Sequence, residues 1–369
     1  MNTQSKKLIV LAAGGTGGHL FPAQALAETL VKRGYAVHLM TDERVRDYGK
    51  SFPAAETHIV HSASPSLSDP MGLPKRLLKL WQGYRSAKHI LKRVSPAAVV
   101  GFGGYPSFPP IYAATALKIP TLVHEQNAVL GRANKMLSKK VDALAASFAN
   151  MAGLPEAAKN KIVVTGNPVR GVALTQAGAK YPAFKKNGPL HLVVFGGSQG
   201  AKFFSDFMPE VFAALPDAMR HRLVLTQQCR AEDLGRVKAI YTKLGITADL
   251  QSFFSDMPKR IAGSHLVISR SGASTIAELG VIGRPAIMVP LPHAIDNDQL
   301  RNAISFETAG AGWVFPQATL KPHEFAAFLG RLVLDEGQLK TAAQNALTHG
   351  KPDAAERLAD LVEETIRRH

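Results

Sequence analysis

Two stretches of this 369-residue chain repeat one another at a distance of 182 residues. Leu8-Ile-Val-Leu-Ala-Ala13 runs into Gly14-Gly-Thr-Gly-Gly-His19, and Leu190-His-Leu-Val-Val-Phe195 runs into Gly196-Gly-Ser-Gln-Gly-Ala201. A short apolar run ending in paired glycines opens a strand–turn–helix unit whose strand is buried on both faces. The spacing is close to half the chain, so the sequence predicts two similar α/β domains rather than one large core. Apolar runs at Ala36–Met40, Ala97–Val100, Thr121–His124, Arg222–Thr226, Leu266–Ser269 and Ala286–Val289 supply further strands, and Ala23–Arg33 reads as a helix stopped at Gly34. The boundary falls near Gly166-Asn-Pro-Val-Arg170. Residues 1–169 are expected to form one domain and 170–353 the other, with an amphipathic helix over Ala354–Arg368 able to join the first.

Composition narrows the chemistry. Hydrophobic residues make up 46% and charged ones 20%, as in an ordinary globular protein. The single cysteine, Cys229, leaves no disulfide framework or Cys-based zinc site within one chain. The formal net charge is +16, and residues 1–169 carry 21 Lys/Arg against 9 Asp/Glu. No acidic residue occurs between Asp69 and Glu125, while Lys75, Arg76, Lys79, Arg85, Lys88, Lys92, Arg93 and Lys118 all fall there. Such a face suits a polyanion. Nucleic acid is the weaker choice, because aromatic residues are only 7% and do not interleave with the basic ones.

Within that basic region, Leu73–Arg93 reads as an amphipathic helix. Leu77, Leu80, Trp81 and Tyr84 lie on one side, with Lys75, Arg76 and Lys79 around them, a pattern suited to an anionic membrane surface. An ordinary surface helix with a solvated basic face is the alternative. No spanning segment is expected, since the uncharged stretch Ser95–Leu117 is broken by Pro96, Pro106, Pro109 and Pro110. The six apolar residues after the basic start run into glycines rather than a cleavage site, so no secretory signal is expected either.

Three glycine loops, 14–19, 101–105 and 196–201, each follow an apolar run. Glycine lets backbone approach a phosphate closely, and a helix N-terminus adds N–H donors and partial positive charge, so a diphosphate is the expected ligand. None is a P-loop, and position 20 is Leu where a dinucleotide fingerprint needs a third glycine. That argues against an NAD dehydrogenase using Asp42. Farther on, Ser269-Arg-Ser-Gly-Ala-Ser-Thr-Ile-Ala-Glu278 reads as a strand end and helix start, with Glu278 on the first turn able to grip a ribose diol. A capping box of Ser274 or Thr275 with Glu278 is the structural alternative. Pro290-Leu-Pro-His-Ala-Ile-Asp-Asn-Asp-Gln299 is a polar loop rich in groups that recognise sugar hydroxyls.

Six motifs now stand in order: Gly14–His19 with Pro22, Gly101-Phe-Gly-Gly-Tyr105, His124-Glu-Gln-Asn127, Gly166–Arg170, Gly196–Ala201 and Ser271-Gly-Ala-x-Thr-x-x-Glu278. Together they closely resemble the MurG-type N-acetylglucosaminyltransferases of bacterial peptidoglycan synthesis. The resemblance implies a GT-B fold, two Rossmann-like domains with a cleft between them. It also implies transfer of GlcNAc from UDP-GlcNAc to Lipid I (undecaprenyl-diphospho-MurNAc-pentapeptide), giving Lipid II at the cytoplasmic face of the inner membrane, beside other wall-synthesis proteins. By motif, it places Thr16, Gly17 and Gly18 at the diphosphate and transferring sugar, Asn127 on the donor sugar, and Arg170 and Ser198 around the donor diphosphate. Phe254 takes the place where the family binds uracil, Ala273, Ser274, Thr275, Ile276, Ala277 and Glu278 cradle the nucleotide, and Gln299 reads the sugar hydroxyls.

The implied linkage is β from an α-linked donor, hence direct displacement with inversion. That step needs a base, a stabilised leaving group and alignment of both substrates. His19 is the expected base, with Glu125 second; a turn-closing structural histidine is the alternative for His19. Neither the glycine loops nor the Ser269–Glu278 segment carries an Asp-x-Asp pair that would hold a metal on the diphosphate, so neither metal nor cofactor is expected. Another GT-B enzyme, a lipid glycosyltransferase or a UDP-GlcNAc epimerase, is the competing function, since fold does not fix chemistry.

Overall fold

The computed structural model describes residues 6–14, 16–45, 52–63, 71–185, 187–292 and 294–369; the side chains of 45, 198–201 and 295 lie outside the description. The chain divides into two compact units, one of residues 1–170 with 352–369 and one of residues 171–351.

The first unit is built on seven parallel strands: β1 (Leu8–Ala12), β2 (Ala36–Thr41), β3 (Glu56–Ile59), β4 (Ala98–Gly101), β5 (Thr121–Glu125), β6 (Ala143–Ala146) and β7 (Ile162–Val164). Their order is β3-β2-β1-β4-β5-β6-β7. β1 is central, with Leu11 opposite Leu39 on one neighbour and Val100 on the other. Strand alternation sends Ile9 and Leu11 to one apolar cluster and Val10 and Ala12 to another, which is why β1 reads as a continuous apolar run. The Ala354–Arg368 helix closes the first cluster with Leu358, Leu361 and Val362. Its other face is tied by Arg33, whose guanidinium lies 2.7 Å from Asp360 and 3.4 Å from Glu363.

The second unit repeats the plan with six parallel strands: β8 (Leu190–Phe195), β9 (Leu223–Gln228), β10 (Thr247–Gln251), β11 (Leu266–Ser269), β12 (Ala286–Met288) and β13 (Gly312–Val314), ordered β10-β9-β8-β11-β12-β13. Here β8 takes the place of β1, and β11 that of β4.

Two expectations need correcting. The first helix runs Gly17–Lys32, not Ala23–Arg33: it carries Pro22 inside, at its sixth position, instead of starting after it. Strands β3, β6, β7, β10 and β13 carry no signal that the sequence reading identified.

Candidate active site

In a doubly wound sheet, ligands bind beyond the carboxyl ends of the strands where strand order reverses. In the first unit that point lies between β1 and β4, and in the second between β8 and β11. All three glycine loops, and the Ser271–Glu278 segment, leave the sheet at these two places.

In the first unit the second glycine loop wraps His19. Gly103 and Gly104 have φ of +81° and +70°, a left-handed backbone favoured by glycine. A Cβ on either would stand 3.3–3.4 Å from the His19 ring, as would one on Gly14. This loop therefore seats an imidazole, a role beyond the diphosphate contact expected of it. His19 and Thr16 line a cavity of about 430 Å³ together with Gly14, Asp42, Arg44 and Tyr105. Asp42 is engaged by Arg44, whose Nε donates to it at 2.7 Å. Thr16 precedes the Gly17–Lys32 helix without a side-chain cap, and the Gly17 and Gly18 amides belong to the first turn, where N–H groups have no intrahelical acceptor.

Glu125 is placed differently from expectation. It is 2% exposed at the end of β5. One oxygen accepts from the backbone N–H and side-chain amide of Asn127 at 3.0 and 3.3 Å; the other accepts from Gly131 N–H and Asn134 Nδ2 at 2.9 Å each. A buried carboxylate already holding four donors is poorly suited to take a substrate proton; it organises the 127–134 loop and with it Asn127. Arg170 ends this unit, its guanidinium 4.6 Å from the Phe21 ring centroid.

His19 is itself held. Its Nδ1 lies 3.1 Å from Gln126 Oε1, and Gln126 Nε2 lies 3.0 Å from Nδ1 of buried His124. Desolvation pushes the His124 imidazole down to about 4. Sequence reasoning assigned no task to Gln126 or His124, although both stand inside a motif it singled out.

In the second unit the Ala273–Ile282 helix begins after Gly272, with no side-chain cap. The capping box is therefore absent, and Glu278, buried at the sixth helical position, stands in the second turn rather than the first. Ser274 and Thr275 are half-buried, whereas Ile276 is wholly buried, so its side chain belongs to packing and only its backbone could face a nucleotide. Ala273 is buried and Ala277 half-buried on the same helix. Gln299 is brought to this helix start: Ser271 Oγ donates to its backbone oxygen at 2.8 Å, and its side-chain oxygen accepts from Leu291 N–H at 3.0 Å. That leaves the amide NH₂ as the end for reading a hydroxyl.

A buried arginine fixes part of this unit's framework. Arg270, 6% exposed, donates to the Val289 and Pro290 carbonyls at 3.0 and 3.2 Å and to Gln317 Oε1 at 2.6 Å, fixing the start of the polar loop; burial pulls it down to about 10. Phe254 is buried beneath the Arg260 guanidinium, 4.3 Å from its ring centroid, so any uracil contact at this place is made by backbone. Ser198 lies in the first turn of the Gly197–Ala213 helix, and its side chain is outside the described ones. A second cavity of about 410 Å³, lined by Trp313 and Gln338 among others, contains none of the expected site residues. Among the described residues, His38, Glu56 and His58 could together hold a metal ion; they stand on β2 and β3, outside the glycine loops.

The N-terminal domain model of glycosyltransferase family 28 matches residues 9–146, and the C-terminal domain model matches 191–358. The chain belongs to glycosyltransferase family 28. Its fold is of the GT-B class, two Rossmann-like units. A relative from Mesorhizobium japonicum is 52% identical over 97% of this chain and 95% of its own length. One from Sinorhizobium fredii is also 52% identical, with the same coverage. Both are named UDP-N-acetylglucosamine–N-acetylmuramyl-(pentapeptide) pyrophosphoryl-undecaprenol N-acetylglucosamine transferase. Among solved structures, Acinetobacter baumannii MurG matches with a TM-score of 0.79 and 28% identity, over 97% of this chain and 99% of that one. The calicheamicin glycosyltransferase CalG4, at 17% identity and TM-score 0.68, shares the fold.

The transferase also shows which face of its basic helix is open. The Leu73–Val94 helix buries Gly83, Ala87 and Leu91 at four-residue spacing. Leu77, Leu78 and Trp81 are each just over half exposed, and Met71 is 95% exposed. Lys75 and Lys79 are exposed beside them, and Arg85 caps Trp81 at 4.9 Å. Two expected members of the patch turn inward. Leu80 is half-buried, and Tyr84 packs edge-on against Tyr112 at 5.6 Å, because both lie toward the Gly83–Ala87 face. Leu78 replaces them on the open side. No helix among the described residues is long and apolar enough to cross a membrane.

Proposed function

We propose that the transferase moves N-acetylglucosamine from UDP-N-acetylglucosamine to the 4-hydroxyl of the muramyl sugar of Lipid I, with inversion at the anomeric carbon, forming Lipid II. The observation that carries this is the 52% identity over 97% of the chain with relatives named for that transfer. The second unit takes the donor, with Glu278 on the ribose, Gln299 on the sugar hydroxyls, and the Gly197 and Ala273 helix starts toward the diphosphate. By motif, Arg170 and Asn127 are further donor-contact residues.

The acceptor hydroxyl attacks C1 of the sugar. The O4–C1 bond forms as the bond from C1 to the diphosphate oxygen breaks, and UDP leaves with the electron pair. The hydroxyl proton goes to His19, placed in the cavity by three glycines, and helix-start amides with Arg170 take up the leaving group's growing charge. The lipid-linked acceptor calls for a membrane surface, and the Met71, Leu77, Leu78 and Trp81 patch ringed by Lys75, Arg76 and Lys79 supports attachment to anionic headgroups at the cytoplasmic side.

Donor exchange tests the assignment. With a Lipid I analogue, UDP-GlcNAc is expected to label the lipid, whereas UDP-glucose and UDP-galactose are not. Conversion of UDP-GlcNAc to another UDP-sugar without acceptor would instead mark an epimerase.

A further inference from the structure

We propose that Gln126 and His124 act as positioning residues that fix the tautomer of His19, keeping a proton on Nδ1 and the lone pair on Nε2. The inference rests on the assignment of His19 as the base and deepens it. It follows from counting donors and acceptors along one chain of contacts, each link of which admits a single assignment.

The chain starts at Gly166, whose carbonyl can only accept. His124 Nε2 lies 3.0 Å from it and must carry hydrogen. His124 is fully buried and, with its basicity suppressed by desolvation, is neutral near pH 7, so its Nδ1 is bare. That bare nitrogen stands 3.0 Å from the end of the Gln126 side chain, which must therefore be the NH₂. The same NH₂ also donates to the His124 carbonyl at 3.2 Å, so two acceptors independently fix the amide's orientation. The other end, Oε1, then faces His19 Nδ1 at 3.1 Å, and an amide oxygen only accepts. His19 Nδ1 holds the hydrogen. In a neutral ring the lone pair is left on Nε2.

The arrangement matters because histidine in water favours the opposite tautomer, with hydrogen on Nε2, which would present no lone pair there. Gln126 is 1% exposed and His124 is 0% exposed, so water does not compete for the links that orient the Gln126 amide. A side chain at Gly103 or Gly104 would crowd the His19 ring, so the loop leaves room for the imidazole only because these residues are glycine. As His19 takes the substrate proton, the Nδ1–H to Oε1 bond becomes charge-assisted and strengthens. The relay is thus a neutral-amide counterpart of the third group that orients the base in nucleophile–base–orienter sets.

The direct test is ¹⁵N NMR of the full-length protein labelled at histidine, with the His19 signals assigned by their loss in His19→Gln. At a pH where the ring is neutral, the expected result is a protonated Nδ1 and a bare Nε2. A protonated Nε2 overturns the relay, whatever His19 does in catalysis. Kinetics add a second readout. Gln126→Leu is expected to lower kcat by roughly 10- to 100-fold while the KM for UDP-GlcNAc stays within about twofold. Gln126→Glu, which sets a carboxylate against Nδ1, is expected to move the acidic limb of the kcat/KM pH profile upward by about one unit. A fall in kcat for Gln126→Leu matched by an equal rise in KM, or an unmoved limb for Gln126→Glu, contradicts the relay. If the tautomer is as inferred but His19→Ala keeps full turnover, the relay stands and the base assignment fails.

Discussion

At the scale of single residues, burial separates the two groups that the sequence offered as first and second choice of base. His19 lines a cavity and Glu125 does not. His19→Ala is expected to cut kcat by about 100-fold or more with donor KM little changed, measured with a soluble acceptor analogue. A loss within about threefold would remove His19 from the chemistry. Glu125→Ala leaves four donors, one of them fully buried, without their acceptor, so the expected change is a stability loss of about 3 kcal/mol in denaturant unfolding. His124 adds a pH dependence whose sign can be worked out. Its folded value is about 4, against roughly 6.5 in the unfolded chain, so between those values the unfolded state binds the extra proton. The stability is whole above pH 6.5 and falls as pH drops toward 4, by about 3 kcal/mol from this group alone. The gap in unfolding free energy between the parent and His124→Phe should accordingly narrow between pH 7 and pH 4.5. The His19 position could be read from its place at the end of a glycine loop. Its partner could not: Gln126 lies 107 residues away, and the contact exists only once β4 has joined β5 to β1 in one sheet.

At the scale of elements, legibility followed burial on both faces. β1, β8 and β11 are interior strands, almost wholly apolar and plain in the sequence. β3 and β10 are edge strands with polar, mostly exposed residues, and β6 is Ala-Leu-Ala-Ala, with little β propensity of its own. Helix periodicity located the Leu73–Val94 helix correctly but misjudged its rotation. Gly83 decides it, since a Cβ there would meet the His61 carbonyl oxygen at 2.0 Å. Small residues mark the buried side and turn Leu78 outward. Reversing the charges of Lys75, Arg76 and Lys79 is expected to weaken binding to anionic vesicles by about 100-fold or more, at about 1 kcal/mol per charge removed. Leu78→Glu should weaken it as well, while Leu80→Glu should mainly lower stability; sedimentation with vesicles and thermal melts separate the two.

At the scale of the whole molecule, the internal repeat was the most informative feature, because a duplicated strand and glycine loop specifies where each sheet reverses its order. Both reversals then became candidate ligand sites before any side chain was considered. The sequence could not show how the second copy had diverged. In the first unit the loop after β4 encloses an imidazole. In the second, the turn after β11 carries Arg270, an arginine held by carbonyls and an amide oxygen, and leads into the helix that bears Glu278. On the proposed reading, one half supplies the base and the other the nucleotide site. The most direct test is transfer of radiolabelled sugar from UDP-GlcNAc to a Lipid I analogue, with the new linkage determined by NMR. The account predicts a labelled lipid whose GlcNAc is β-linked to the muramyl 4-oxygen; an α linkage, or no labelled lipid at all from folded protein with both substrates present, would contradict it.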